Sequence, residues 1–134
     1  MVCDTHYSRT VLNDEELATH RQELRRGTVV LACLELLSTA NYGYALLTSL
    51  EAAGFAVDAN TLYPLLRRLE KQGLLDSEWN TDESRPRKFY VTSVEGVALA
   101  ETLRADWLEL VSAFSKLTDL PAATLPTPTP KDMP

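Results

Sequence analysis

Apolar residues in Asp58 to Gly73, DANTLYPLLRRLEKQG, fall at helical spacing. Leu62, Leu65, Leu66 and Leu69 occupy i, i+3, i+4 and i+7, the pattern of a stripe buried against a core. Asn60, Thr61, Tyr63, Arg67, Arg68 and Lys71 take the remaining surface. Their amide, hydroxyl, phenol, guanidinium and ammonium groups suit phosphate oxygens and base edges. An ordinary solvated helix has the same pattern, so the neighbouring elements must decide between the two readings. Asp58 is suited to an N-cap and Gly73 to the C′ position. Pro64 lies inside the helix, removes one backbone hydrogen bond and is expected to bend it.

The segment before it shows three more helical stretches. Asn13 to Arg26 has acids in its first turn and arginines in its last, the order the helix dipole favours. Gly27 breaks that pattern and Thr28 is placed to cap the next helix. Thr28 to Leu37, TVVLACLELL, is apolar nearly all round and is expected to be the central core helix. Ser38 to Asn41 is a turn. Tyr42 to Ala53 carries Leu46, Leu47, Leu50 and Ala53 on one side, and Gly54 ends it. Tyr42 and Tyr44 sit at its N-terminus, where free backbone N–H groups favour an anion.

After Gly73 the period becomes two. Leu74 to Trp79 and Lys88 to Thr92 form a hairpin, joined by the loop Asn80 to Pro86. Phe89 and Val91 fall on one face of it, Lys88 and Tyr90 on the other. Thr92-Ser93-Val94-Glu95 fits a capping box and opens a helix to Leu117. At ~1.5 Å per residue that helix is about 36 Å long. On it Leu103, Trp107, Leu110, Phe114 and Leu117 recur at coiled-coil spacing. A second chain is the natural cover for so long a stripe; the alternative is packing against the chain's own helices. The expected divisions are a flexible start over 1–12, a DNA-binding unit over 13–92, a dimerisation helix over 93–117 and a disordered proline-rich tail over 118–134.

Composition narrows the class. A chain of 134 residues with 45% apolar content fits one small domain. No apolar run approaches the ~18 residues of a membrane span, and no signal-peptide pattern opens the chain, so a cytoplasmic protein is expected. Cys3 and Cys33 form no CxxC, and His6 and His20 stand apart from any ligand-like cluster, so no metal site is expected. Cys33 sits in an apolar run and is expected to be a buried small hydrophobe. The net charge is −6, but it is unevenly spread. Arg67, Arg68 and Lys71 against Glu70 make one basic island. Arg85, Arg87 and Lys88 make another. Asp76, Glu78, Asp82 and Glu83 separate them. Local placement of charge governs binding to a polyanion more than the total does.

The order of three helices followed by a hairpin with a basic tip is the winged helix-turn-helix plan. The fold class expected is therefore mainly α with a small β-hairpin, plus a long C-terminal dimerisation helix. In that plan Asp58–Gly73 enters the major groove and the hairpin straddles the backbone. A dimer sets two such helices about one DNA turn (~34 Å) apart, matching a palindromic site.

The residues carry a resemblance. LRRGTVVLACLELL at 24–37, YGYALLTSLE at 42–51, NTLYPLLRRLEKQGLL at 60–75, SRPRKFYVTSVEG at 84–96 and a terminal helix bearing Trp107 together resemble the PadR family of bacterial transcriptional regulators. The single terminal helix is similar to that of the short-tailed subgroup. The resemblance implies a homodimeric repressor whose partner is double-stranded DNA. It implies DNA-facing positions for Tyr44, Asn60, Thr61, Tyr63 and Pro64, with Arg87 and Lys88 on the wing; Arg67, Arg68 and Arg85 join them on charge. It also accommodates Pro64, since a proline follows the Tyr of this motif in many relatives. One departure is Glu83-Ser84, where many relatives carry paired glycines. For Trp107 the resemblance implies a cavity at the dimer centre, where it and its twin sandwich flat aromatic molecules; Leu103, Leu110 and Phe114 are expected with it at the ligand or dimer interface. The other reading of Trp107 is a packed interface residue.

Two other classes compete with this one. A winged helix that binds protein and never DNA would make the acidic total decisive. An enzyme is rejected: the sequence holds no nucleophile–base pair, no metal spacing and no phosphate-binding glycine loop, and no cofactor is expected.

Overall fold

The computed structural model describes residues 12–82 and 84–119. The chain divides into two compact units, one ending at Val97 and one beginning at Ala98. The elements run α1 (Asp14–Leu36), β1 (Asn41–Tyr42), α2 (Gly43–Ala52), α3 (Ala59–Lys71), β2 (Leu75–Asn80), β3 (Arg87–Thr92) and α4 (Val94–Asp119). The described part is mostly helical with a small antiparallel sheet, a winged helix-turn-helix fold. No described helix is long and apolar enough to cross a membrane.

The first unit departs from the sequence reading at three places. The two N-terminal helices expected around Gly27 are one helix, α1. A mid-helix glycine costs about 1 kcal/mol relative to alanine. Burial of Val29, Cys33 and Leu34 in the same helix outweighs that cost, at about 1.5–3 kcal/mol for a fully buried aliphatic side chain. Thr28 accordingly caps nothing; its Oγ1 donates to the Arg25 carbonyl at 2.7 Å. Arg25 and Arg26 therefore lie mid-helix and do not complement a helix C-terminus. The true start is Asn13, whose Oδ1 accepts from the Glu16 N–H at 2.7 Å.

The second departure is a third strand. Asn41 and Tyr42 were expected as the end of a turn and the start of a helix. They pair instead with Tyr90 and Phe89, giving the order β1-β3-β2. The pairing of β2 with β3 runs from Leu75 opposite Thr92 to Asn80 opposite Arg87. Strand β3 also closes the end of α1. Thr92 donates its N–H to the Leu37 carbonyl at 2.8 Å and its Oγ1 to the Leu34 carbonyl at 2.7 Å, satisfying acceptors that a helix terminus leaves open.

The third departure follows from the second. With Thr92 turned toward α1, the cap of α4 is Ser93. Its Oγ accepts from the Gly96 N–H at 3.0 Å and donates to the Gly73 carbonyl at 2.7 Å. Glu95 thus falls one position short of the reach a capping box requires.

The core is leucine-rich. Leu34, Leu37, Leu46, Leu50, Leu62, Leu66, Leu69 and Leu75 are fully buried, and Cys33 lies among them. Burial pushes the Cys33 thiol up to about 12, so it stays protonated and acts as core volume, as expected. In the second unit α4 continues to Asp119, and Trp107, Leu108, Leu110, Val111, Phe114 and Leu117 are exposed along it. Cys3, His6 and the proline-rich tail lie outside the described residues.

Gly96 packs so closely under the segment after α3 that a Cβ there would overlap the Leu74 carbonyl oxygen and crowd the Thr92 methyl. Gly96→Ala is expected to cost about 1–3 kcal/mol, as overpacking does. A thermal melt followed by circular dichroism reads this as a lowered Tm; an unchanged Tm would show that the backbone yields freely there.

Candidate nucleic-acid interface

Helix α3 is fixed at both ends by its own sequence. The Asp58 carboxylate accepts from the Thr61 N–H at 2.9 Å. At the other end Gly73 adopts φ 79°, a left-handed conformation that favours glycine. Gly73 N–H then donates to the Glu70 carbonyl at 3.0 Å and Leu74 N–H to the Leu69 carbonyl at 2.9 Å. Pro64 lies within the helix, which continues through it as one element. The four expected leucines are buried. Asn60, Thr61, Pro64, Arg67, Arg68 and Lys71 are exposed on the opposite side.

Tyr63 is half-buried, and its ring lies over the first residue of α2. A Cβ on Gly43 would come within 2.6 Å of Tyr63 Cε1. The missing side chain at Gly43 is what lets α2 and α3 approach. The next residue, Tyr44, is 69% exposed beside that contact.

The sheet separates the wing cations. Successive side chains of a strand point to opposite faces, so Arg87 and Lys88 diverge. The Arg87 guanidinium lies 4.3 Å from the centre of the Tyr42 ring. Tyr42 meets Phe89 edge-on at 5.7 Å, and its hydroxyl accepts from Asn80 Nδ2 at 2.7 Å. Lys88 turns the other way. Its Nζ is 3.0 Å from Glu70 Oε1 on α3 and 5.4 Å from the centre of the Tyr90 ring. Glu70 Oε2 accepts from Ser77 Oγ at 2.5 Å. Hydrogen bonds from Ser77 and Lys88 hold the Glu70 carboxyl below its ordinary 4.5, while burial pushes the Tyr90 phenol up. Arg85 is exposed in the loop before β3.

On the other flank of α3, an open groove of about 910 Å³ runs along α1. Arg21, Arg25, Arg26 and Arg68 line it together with Thr61 and Pro64. The fold therefore sets α1 arginines beside the helix that carries the first basic island. Among the described residues no cluster of histidine, cysteine and carboxylate could hold a metal ion.

The expected residues divide by element. Tyr44, Asn60, Thr61, Tyr63, Pro64, Arg67 and Arg68 are gathered on α2 and α3, and Arg85, Arg87 and Lys88 on the wing. Leu103, Trp107, Leu110 and Phe114 lie on α4, with Leu103 half-buried and Trp107 42% exposed. Sequence reasoning missed Glu70, Ser77 and Trp79, and it placed Tyr42 at a helix N-terminus rather than in a strand under Arg87. Tyr42 belongs to a strand of two residues, too short to show a period. Glu70 and Ser77 matter only through each other and Lys88. Trp79, on the wing strand opposite Lys88, is 62% exposed, and an aromatic in a strand pattern gives no sign of that.

This combination of a helix-turn-helix with a basic-edged sheet is that of winged-helix transcriptional regulators. The chain belongs to the transcriptional regulator PadR-like family, whose model matches residues 30–101. It is similar to the crystal structure of a PadR family transcriptional regulator from Eggerthella lenta, with 46% identity and a TM-score of 0.74, over 79% of this chain and 95% of that one. It is also similar to a PadR-like regulator from Bacillus cereus, at 26% identity and a TM-score of 0.66, over 72% of this chain and 97% of that one. The transcriptional regulator Rv3488 of Mycobacterium tuberculosis is 42% identical over 65 residues, 48% of this chain. The match spans 61% of that curated relative, less than two thirds of its length.

Because the Glu70 carboxyl titrates lower in the folded chain, its stabilisation is fully present above the ordinary value of 4.5 and is lost as pH falls through the lowered one. Glu70→Gln is expected to lower Tm at neutral pH by the equivalent of about 1 kcal/mol or less, given the partial exposure of the pair. The gap should close as pH falls below 4.5 and through the lowered value. A gap that is constant with pH in thermal melts would mean that the charge contributes nothing.

Proposed function

We propose that this chain is a sequence-specific DNA-binding repressor that acts as a homodimer on a palindromic operator. The observation that carries DNA binding is α3, with its leucines hidden and its amide, hydroxyl and guanidinium groups exposed. Asn60, Thr61 and Tyr63, at the N-terminal end, are the base-side contacts, with Tyr44 and Pro64 beside them. Arg67 and Arg68 meet phosphate, and Arg85 and Arg87 serve the wing. Phosphate contacts fix register while base-edge contacts specify sequence. The place of action is then the cytoplasm, where the DNA is.

The dimer reading is supported by α4. Trp107, Leu110, Phe114 and Leu117 recur at intervals of three, four and three, and all are exposed. A stripe of that spacing is matched by a second copy of the same helix, and association adds burial that a small core lacks.

A gel shift on DNA from upstream of the chain's own gene tests both points. The unsubstituted protein should bind with strong salt sensitivity. Arg67→Ala or Arg87→Ala should weaken binding and flatten the salt dependence by about one phosphate contact. Phe114→Glu should yield monomers in analytical ultracentrifugation and lose tight operator binding. Binding that ignores salt, or that survives in a monomer, would overturn the reading.

We also propose that a planar aromatic molecule bound beside Trp107 at the dimer centre relieves repression. Two facing indoles, with Asp106 and Glu109 within two residues of Trp107 in sequence, suit a flat and cationic compound. Such a ligand acts only by binding the two conformations with different affinity. In a Trp79→Phe background, which leaves Trp107 as the fluorophore, planar aromatic cations should quench the emission. No quenching across such a panel would remove the ligand site and leave Trp107 as an interface residue.

A further inference from the structure

Lys88 is one of the wing's three basic residues, and its position in the sequence suggests a phosphate contact. Its surroundings assign it otherwise. We propose that Glu70 on the recognition helix holds Lys88 out of the DNA interface, and that the pair with Ser77 sets the wing against α3. This rests on the DNA-binding reading above and adds Glu70 to it as a positioning residue.

The argument begins with strand geometry. Arg87 shares its face of the sheet with Tyr42 and Phe89, whereas Lys88 shares the opposite face with Tyr90 and Ser77. That second face meets α3 through Glu70. The Glu70 carboxylate is engaged at both oxygens, by Lys88 Nζ at 3.0 Å and by Ser77 Oγ at 2.5 Å. One carboxylate thus joins α3, β2 and β3. The side chains of Lys88 and Glu70 are 28% and 33% exposed, so water and salt screen the pair less than a surface pair.

The alternative state is costly. To reach a phosphate, Lys88 Nζ would leave the carboxylate and its place beside the Tyr90 ring. Glu70 would then keep a half-buried negative charge, without its cation, near the DNA backbone. Like charges at such an edge repel, and a charge that loses its partner in a partly buried site is penalised. The pair therefore stays closed on DNA, and its net contribution to counterion release is zero. The angle of the wing relative to the recognition helix follows from the same contact, because both wing strands bond to one helical residue.

Salt dependence distinguishes a spent lysine from a phosphate-bound one. The measurement is fluorescence anisotropy of labelled upstream DNA from 50 to 200 mM KCl. The proteins are the unsubstituted chain, Glu70→Gln, and the double variant Glu70→Gln with Lys88→Met. The double variant removes both charges together and strands neither, so it folds without an unpaired charge; a thermal melt verifies this. Its affinity should fall while its salt slope matches that of the unsubstituted chain. Glu70→Gln alone frees the ammonium and should steepen the slope by about 0.9, an additional loss of about 3.5-fold over that range.

A double variant whose slope is shallower by about 0.9 would place Lys88 on a phosphate and overturn the proposal. So would a Glu70→Gln slope equal to that of the unsubstituted chain. No salt-sensitive binding by the unsubstituted chain would instead overturn the DNA-binding reading on which the proposal rests.

Discussion

Helix α3 must hide one side and show the other, and most of the fold serves that requirement. A helix of 13 residues is marginal alone, so its stability comes from packing. Leu62, Leu65, Leu66 and Leu69 supply the buried side, and Leu34 of α1, Leu37 just beyond its end, and Leu46 and Leu50 of α2 belong to the same core. Once those four leucines face inward, helical geometry turns Asn60, Arg67, Arg68 and Lys71 outward. Asp58 and Gly73 stop the helix at fixed points, so the outward set has one orientation.

Close approach between elements depends on two glycines and one serine. Gly43 lets the Tyr63 ring lie against α2, which fixes how α2 and α3 sit together. Gly96 lets the first turn of α4 pass the Leu74 carbonyl. Ser93 joins the end of α3 to the start of α4 by donating to Gly73 and accepting from Gly96. These contacts are small, and each sits where one element hands the chain to the next. Glu70 extends the arrangement to the wing through Ser77 and Lys88. An acidic chain can then present cations locally, because the fold decides which of them remain on the surface.

The second unit follows a different rule. The first unit covers its leucines within itself, whereas α4 from Ala98 onward leaves Trp107, Leu110, Phe114 and Leu117 in contact with water. Exposed apolar area at regular spacing is unfavourable for an isolated chain and favourable for a symmetric pair. Dimerisation and presentation of two recognition helices would then be one property of α4. On the proposed reading, that shared property is what would let a ligand at the seam alter DNA affinity.

Much of this was legible in the sequence. Period and end signals are local, so the leucine stripe, the Asp58 cap, the Gly73 terminus, the β2–β3 pair and the spacing on α4 could be read directly. The resemblance carried by TLYPLLRRLE and RPRKFYVT led to the family. What the sequence could not settle were choices made by distant partners. Gly27 signals a break in any local reading, and core burial overrides it. Asn41 and Tyr42 become a strand only because β3 lies beside them. Thr92 gives up the cap to Ser93 because α1 offers it carbonyls. Lys88 looks like its neighbour Arg87 until the pleat of β3 sends the two to opposite faces and Glu70 takes one of them. Local patterns mark where most of the helices and the β2–β3 pair lie, since period and end signals are carried by each segment's own residues. Tertiary contacts decide which polar groups remain free, since a hydrogen bond or ion pair requires a partner that the chain brings from elsewhere.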